Sequence, residues 1–238
     1  MSEVTICNLA LGHLGDTATV ASIKPPDNSV QAQLCARFYP IARNALLEMS
    51  TWGFATRRVK LALVANPTLA IAQGVDAAAI RGTWKYAYAL PNAMINAIAV
   101  IPAEASDDYQ ASWGQNGDGF PYPLAEPAEA ARTKMPQPYA IETQVDGSQI
   151  ILTNVCNAVL RYTTLVDDTT KFSPLFTLAL SWLLASMLAG PILKGDAGAA
   201  AGTRCLQMFK GFEGMAESSD ANQHQVNVQA SPSWIRGR

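Results

Sequence analysis

Side chains able to attack, titrate or ligate are few in this chain and poorly spaced for chemistry. There are two histidines, His13 and His224. A metal site built on imidazoles would need both, and no HxxxH or CxxC spacing supports one. His13 falls inside the first apolar-periodic segment and reads as a partly exposed helix residue. The four cysteines, Cys7, Cys35, Cys156 and Cys205, lie far apart. They are expected to be reduced, mostly buried thiols of a chain made in a cytosol. Catalytic triads assemble in space, so spacing alone leaves a Ser-His-Asp or Cys-His arrangement open. No GxSxG marks a nucleophile, and neither a Walker loop nor a dinucleotide fingerprint occurs.

Acids come in two adjacent pairs, Asp107-Asp108 and Asp167-Asp168. General acid/base work needs two carboxylates facing one bond, and adjacent residues rarely do, so both pairs read as turn or cap residues. Gly114 to Gly119 has the look of a glycine-rich phosphate loop, but no helix follows to aim its amides; a loop is expected. From Tyr86 to Ala131 there are six acids and no basic residue. That run is either a solvated loop or a surface that repels DNA, since like charge prevents sticking. Arg57-Arg58-Val59-Lys60 after Trp52 and Phe54 offers a small basic patch with aromatics. Three charges are too few for a nucleic-acid face, so an aromatic anchor is expected there, with the arginines pairing acids at a subunit contact.

The elements that must position these groups follow from periodicity. Ser2 to Leu14 is helical by Val4, Cys7, Leu11 and Leu14, closed by Gly15. A second helix runs from about Ser29 to Ser50. Its apolar stripe is Val30, Leu34, Phe38, Ile41, Ala45 and Met49, and Pro40 should bend it. Strands are predicted at Val59 to Val64, Trp84 to Leu90, Met94 to Ile101, Tyr139 to Val145, Gln149 to Thr153 and Ala158 to Thr164. Asp146-Gly147 makes a hairpin turn between two of them. The stretch from Pro102 to Pro138 holds six of the 14 prolines and reads as irregular. A third helix starts at Ser173-Pro174 and should stop at Gly190-Pro191. A fourth, capped by Asp196, runs to about Glu217 with Cys205, Phe209 or Met208, Phe212 and Met215 on its apolar side. Its glycines, Gly198, Gly202, Gly211 and Gly214, should let another backbone approach. The last stretch, residues 218–238, is polar and expected to be an extended tail. Its apolar pair Trp234-Ile235 is either a docking element for a neighbour or incidental in a disordered end.

The outline is therefore an α+β chain. Residues 1–55 and 172–217 form a discontinuous helical bundle, 56–171 a β-rich insert with a long loop at 102–138, and 218–238 a tail. Charge supports assembly rather than solvation: 17 Lys and Arg against 19 Asp and Glu give a net charge of −2, and charged residues make up only 15%, against an ordinary share of roughly 25%. So neutral a balance gives no footprint for wrapping nucleic acid. An acid at Glu3 stands where a secretion signal would need positive charge. The uncharged stretch Phe172 to Leu193 demands a membrane test. About 16 helical residues would span about 24 Å against a ~30 Å hydrocarbon core, so a central bundle helix is expected and no membrane partner.

Taken in order, Ala10-Leu-Gly-His-Leu-Gly15, Ala42-Arg43-Asn-Ala-Leu-Leu47, Trp52-Gly-Phe-Ala55 with Arg57-Arg58, Tyr88-Ala-Leu-Pro91, Leu160-Arg-Tyr162, Asp167-Asp168 and Phe172 to Leu188 resemble the tail tubular protein A family. These proteins are the head-to-tail adaptors, or connectors, of short-tailed phages. The resemblance covers most of the chain outside 102–138 and part of the tail. Leu90-Pro-Asn-Ala-Met-Ile95 departs from it, lacking charged residues after the proline. The resemblance implies a structural virion protein of the phage neck and no enzyme, with no cofactor and no catalytic or metal residues. It implies a homo-oligomeric ring, usually of twelve copies, between the portal protein and the tail tube or nozzle protein. DNA passes through the lumen without sequence-specific binding and leaves by it at ejection. Synthesis would be in the host cytoplasm. The tail, with Trp234 and Ile235, would then reach the portal. The alternative from a different class is a soluble enzyme or small-molecule-binding module with its site in 102–138.

Overall fold

A computed structural model describes residues 1–17, 19–64, 84–103 and 137–223, together with the strand backbones 113–115 and 121–123. The described chain is a mixed fold with four helices and antiparallel sheets, consistent with the expected α+β class. It divides into two compact units, residues 1–56 with 163–223, and residues 57–162.

The first unit is helical. Helix α1, Glu3–His13, starts where the Ser2 hydroxyl accepts the Thr5 amide at 3.1 Å, and ends at Gly15, whose φ of +78° suits a residue without Cβ. It buries Ile6, Cys7, Ala10 and Leu11. Helix α2, Val30–Met49, is capped by Ser29, which accepts the Ala32 amide at 3.1 Å. It is continuous through Pro40, so the missing amide there does not end it.

The expected inner stripe of α2 is corrected by the structure. The buried face is Ala32, Cys35, Tyr39, Ala42, Arg43, Leu46 and Leu47. Val30, Ile41 and Met49 are instead 67%, 53% and 52% exposed. Two apolar rows share this helix, and the inner one mixes small Ala32, Cys35 and Ala42 with the fully buried Tyr39, Leu46 and Leu47.

Helix α3, Pro174–Leu193, is the core of this unit and packs on α1, α2 and the fourth helix. Ser173 caps it, accepting the Phe176 amide at 3.1 Å, and Pro174 fits the first turn, where an amide has no partner anyway. It does not stop at Gly190-Pro191. Pro191 sits in the last turn and the helix reaches Leu193, 20 residues in all. That is about 30 Å, so length no longer argues against a membrane span. Packing does: Phe176, Leu180, Leu184 and Leu188 are fully buried against protein.

Lys194 and Gly195, at φ +55° and +53°, reverse the chain into α4, Gly195–Ala221. Asp196 therefore lies in the first turn rather than at the cap, which Lys194 occupies without a side-chain bond. Gly198 allows the antecedent helix to come close, since a Cβ there would sit 3.0 Å from the Ala189 carbonyl oxygen. Gly202 lies 3.4 Å from the Ser186 oxygen by the same measure, while Gly211 and Gly214 face open space. Phe209 and Cys205 are buried, but Met215 is exposed, contrary to the expected face. Because α4 runs to Ala221, the tail cannot begin at Ser218.

The second unit is built from strands. β1 (Thr56–Lys60), β9 (Val159–Thr164) and β4 (Met94–Ile101) form one sheet in the order β1-β9-β4. β2 (Ala62–Leu63), β3 (Tyr86–Ala89), β8 (Gln149–Thr153) and β7 (Tyr139–Thr143) form an antiparallel sheet in the order β2-β3-β8-β7. The single predicted strand Val59 to Val64 is thus two, with Leu61 buried at the switch. The β7–β8 hairpin turns at Asp146-Gly147 as predicted, with Gly147 at φ +83° and the Asp146 carboxylate accepting the Ser148 amide at 2.9 Å. The main core joins Leu61, Tyr88, Val100, Ile151, Leu160 and Tyr162. Within 102–138, expected to be irregular, Trp113–Gln115 (β5) and Pro121–Pro123 (β6) pair antiparallel, Gly114 opposite Tyr122.

Candidate functional site

The chemistry-bearing residues of the helical unit sit at joints between its helices. Arg43 is buried on α2, yet its guanidinium is ion-paired to Asp167, which itself is largely exposed. Its Nε and Nη2 donate to Asn44 Oδ1 at 3.2 and 3.1 Å, and the charge lies over the Tyr39 ring, 5.9 Å from its centre. A buried cation needs such company. Asp168 does the turn work expected of the pair, accepting from the Thr170 hydroxyl at 2.6 Å and its amide at 3.0 Å. Those bonds hold its carboxyl below the usual range. Asp167 is the residue the turn reading missed, and only its sequence distance from Arg43 hid it.

Trp52 and Phe54 form an aromatic anchor inside the helical unit. The Trp52 indole donates to the Leu46 carbonyl at 2.8 Å, and both rings meet Phe176 edge-on, at 4.9 and 5.0 Å between centroids. Phe54 also leans on Phe172 at 5.6 Å. The exit of α2 is thereby clamped to the start of α3. Arg57 and Arg58 follow at the start of β1, both exposed.

His13 is partly buried, as read. Its ring stacks flat on Trp182 of α3, 3.6 Å between centroids and 5° between planes. Ser181 gives its one hydroxyl proton to the Leu178 carbonyl at 2.8 Å, so its lone pair accepts from His13 Nε2–H at 3.0 Å. Burial lowers the His13 pKa from 6.5. Cys7 and Cys35 meet between α1 and α2, and the hydrogen bond between their sulfurs, with burial, pushes the Cys7 thiol up. Cys205 is also buried and Cys156 is exposed; all four are unbridged.

A cleft of about 390 Å³ lies where α2 and α4 end, lined by Ser50, Thr51, Trp52, Glu217, Asp220 and Ala221. Its carboxylates are engaged in tethering: Glu217 accepts from the Ser50 hydroxyl and Asp220 accepts the Gly53 amide at 2.8 Å. Among the described residues no three His, Cys, Asp or Glu side chains cluster as a metal site would need.

What the unit presents outward is apolar. On α2, Val30, Ile41 and Met49 are exposed beside half-buried Leu34, Phe38 and Ala45, and α4 exposes Met208 at 41% and Met215 at 57%. These two faces, rather than a cleft, are the feature of the described residues that asks for a partner. Trp234 and Ile235 and most of 102–138, including the Asp107-Asp108 pair, lie outside the described residues.

No family model matches the chain, and no curated protein matches it.

Proposed function

We propose that this chain is a subunit of a head-to-tail adaptor ring in a short-tailed phage, joining the portal to the tail around the DNA channel. The observation that supports it is the layout of the two units. Residues from both chain ends make one helical unit and the strand-rich middle makes another. An adaptor of the kind the sequence resembles needs that layout, a helical ring body carrying a β-rich insert toward the tail partner. The segments that carry the resemblance meet in the helical unit: Arg43 with Asp167, and Trp52 and Phe54 with Phe172 and Phe176. On this reading the ring holds about twelve copies, the usual number for the family, and the protein is made in the host cytoplasm and resides in the virion neck. The acid-only run from Tyr86 to Ala131 keeps DNA from adhering.

The test is mass photometry of the purified chain, alone and mixed with its cognate portal ring. Portal rings that gain many copies at once are the expected result; a chain that stays monomeric beside the portal overturns the proposal. The residues after α4, with Trp234 and Ile235, are proposed to reach the portal. Their truncation belongs after Gln223, because Glu217 and Asp220 tether α4 to the end of α2. The shortened chain should melt as the full chain does and bind no portal. Retained binding removes the role of the tail.

A further inference from the structure

Each of the first two helices buries one cysteine, and the two meet. Cys7 stands on the inner face of α1 with Ile6, Ala10 and Leu11, and Cys35 on that of α2 with Ala32, Tyr39 and Ala42. Both are fully buried, and a hydrogen bond joins their sulfurs. Cys156, by contrast, is exposed between β8 and β9, and Cys205 lies on α4.

The chain between the two helices is fastened to both. The Asn8 side chain donates to the Val20 carbonyl at 3.0 Å and accepts the Val20 amide at 2.8 Å. Lys24 pairs with Glu3 at 2.9 Å, and Gln31 donates to Asp16 at 3.2 Å. The fold therefore holds these two thiols side by side, where a loose chain would bring them together only in passing.

We propose that Cys7 and Cys35 are a redox-closed clamp between α1 and α2, a dithiol where thiols are kept reduced and a disulfide where they are not. The oxidant is a small disulfide such as oxidised glutathione. One protein thiol loses its proton and attacks a sulfur of that disulfide, expelling a glutathione thiolate. The second thiol, deprotonated in turn, attacks the protein sulfur of the mixed disulfide and expels the other. One S–S bond breaks and one forms; two protein thiols are oxidised, and the expelled thiolates take up the two protons. Because both sulfurs are buried, exchange passes through a local opening of α1 and is slow in the native state. The inference does not depend on the adaptor reading; under it, the clamp closes once the particle leaves the host cytoplasm.

The test equilibrates the full chain in a glutathione redox buffer, folded and in denaturing guanidinium chloride. It starts both from the reduced chain and from chain oxidised while unfolded, so burial cannot mask the end point. After acid quench and alkylation, the tryptic peptide Met1–Arg37 holds both cysteines, because Lys24 is followed by Pro25. Bridged, it is two hydrogens lighter and takes no alkyl group. The bridge should be favoured in the folded chain over the unfolded one by on the order of 100-fold or more, as closing a loop from Cys7 to Cys35 implies. It should also raise the melting midpoint by about 5–10 °C, a rise absent from Cys7→Ala. A bridge no more favoured in the folded chain means that the helices hold the sulfurs apart and overturns the clamp. So does Cys7 or Cys35 bridged instead to Cys156 or Cys205, or a melting rise that Cys7→Ala retains. None of these results bears on portal binding, so the adaptor reading stands or falls separately.

Discussion

Four glycines on one helix should answer the same substitution with opposite signs. Glycine inside a helix is about 0.8–1 kcal/mol less favourable than alanine. Gly211 and Gly214 have nothing within 4 Å of a built Cβ, so Gly211→Ala and Gly214→Ala should each stabilise by roughly 0.5–1 kcal/mol, a rise of about 2–4 °C per kcal/mol in a chain this long. At Gly198 the new methyl meets the Ala189 oxygen at 3.0 Å and the Gly190 Cα at 3.3 Å. Both are backbone atoms of α3, so the helices must part. Overpacking of that kind costs about 1–3 kcal/mol, which outweighs the propensity gain and leaves a net loss of about 1 kcal/mol. Gly202→Ala, 3.4 Å from the Ser186 oxygen, should fall near zero. Urea unfolding followed on the helical transition orders the four variants, with the midpoint compared at constant slope. Stabilisation by Gly198→Ala equal to that by Gly211→Ala would refute the close approach of α3 and α4.

Arg43→Ala should cost about 2–4 kcal/mol, since it empties a buried site and removes the guanidinium's bonds together. Asp167→Asn should cost about 1 kcal/mol or less, because that partner is mostly in water. Equal urea midpoints for the two would count against the burial of Arg43. His13 makes stability depend on pH with a definite sign. Its folded pKa lies below 6.5, so below pH 6.5 the unfolded chain takes up a proton that the folded ring resists. Stability is therefore full above pH 6.5 and falls as the pH drops through that value, levelling once the folded ring titrates. His13→Phe keeps the stack on Trp182 and should flatten this slope in melting midpoints taken between pH 5 and 8; an unchanged slope would assign it elsewhere.

Local rules read some of the ends and turns of this chain because each is written in one or two neighbouring residues. Ser173 caps α3 and Gly147 turns the β7–β8 hairpin as expected, whereas the cap expected at Asp196 falls at Lys194. Where a local rule met a tertiary contact it lost. Pro191 reads as a stop, but α3 continues to Leu193 and Lys194 makes the reversal instead. Asp167 reads as a turn residue, and its ion pair with Arg43 depends on packing that spacing cannot carry. The His13–Ser181–Trp182 joint was hidden for the same reason, although the buried hydroxyls of Thr177 and Ser181 in a mostly apolar helix were the available signal. A hydroxyl buried there needs a partner. Of the site expected at Trp234 and Ile235, the sequence holds the apolar pair and nothing about where it docks.

The α2 stripe is the more instructive error. Periodicity measures where large apolar side chains line up, and on this helix they line up on two sides, with Val30, Ile41 and Met49 exposed and Tyr39, Leu46 and Leu47 fully buried. The inside row mixes these with small Ala32, Cys35 and Ala42 and with the charged Arg43, which makes it faint in a pattern count. A chain with only 15% charged residues has little polar surface with which to solvate the exposed side. Ile41→Asp should leave the melting midpoint within about 1 °C of the parent, because that side chain is 53% exposed. A large loss of monomer stability would instead mean that the row faces the core.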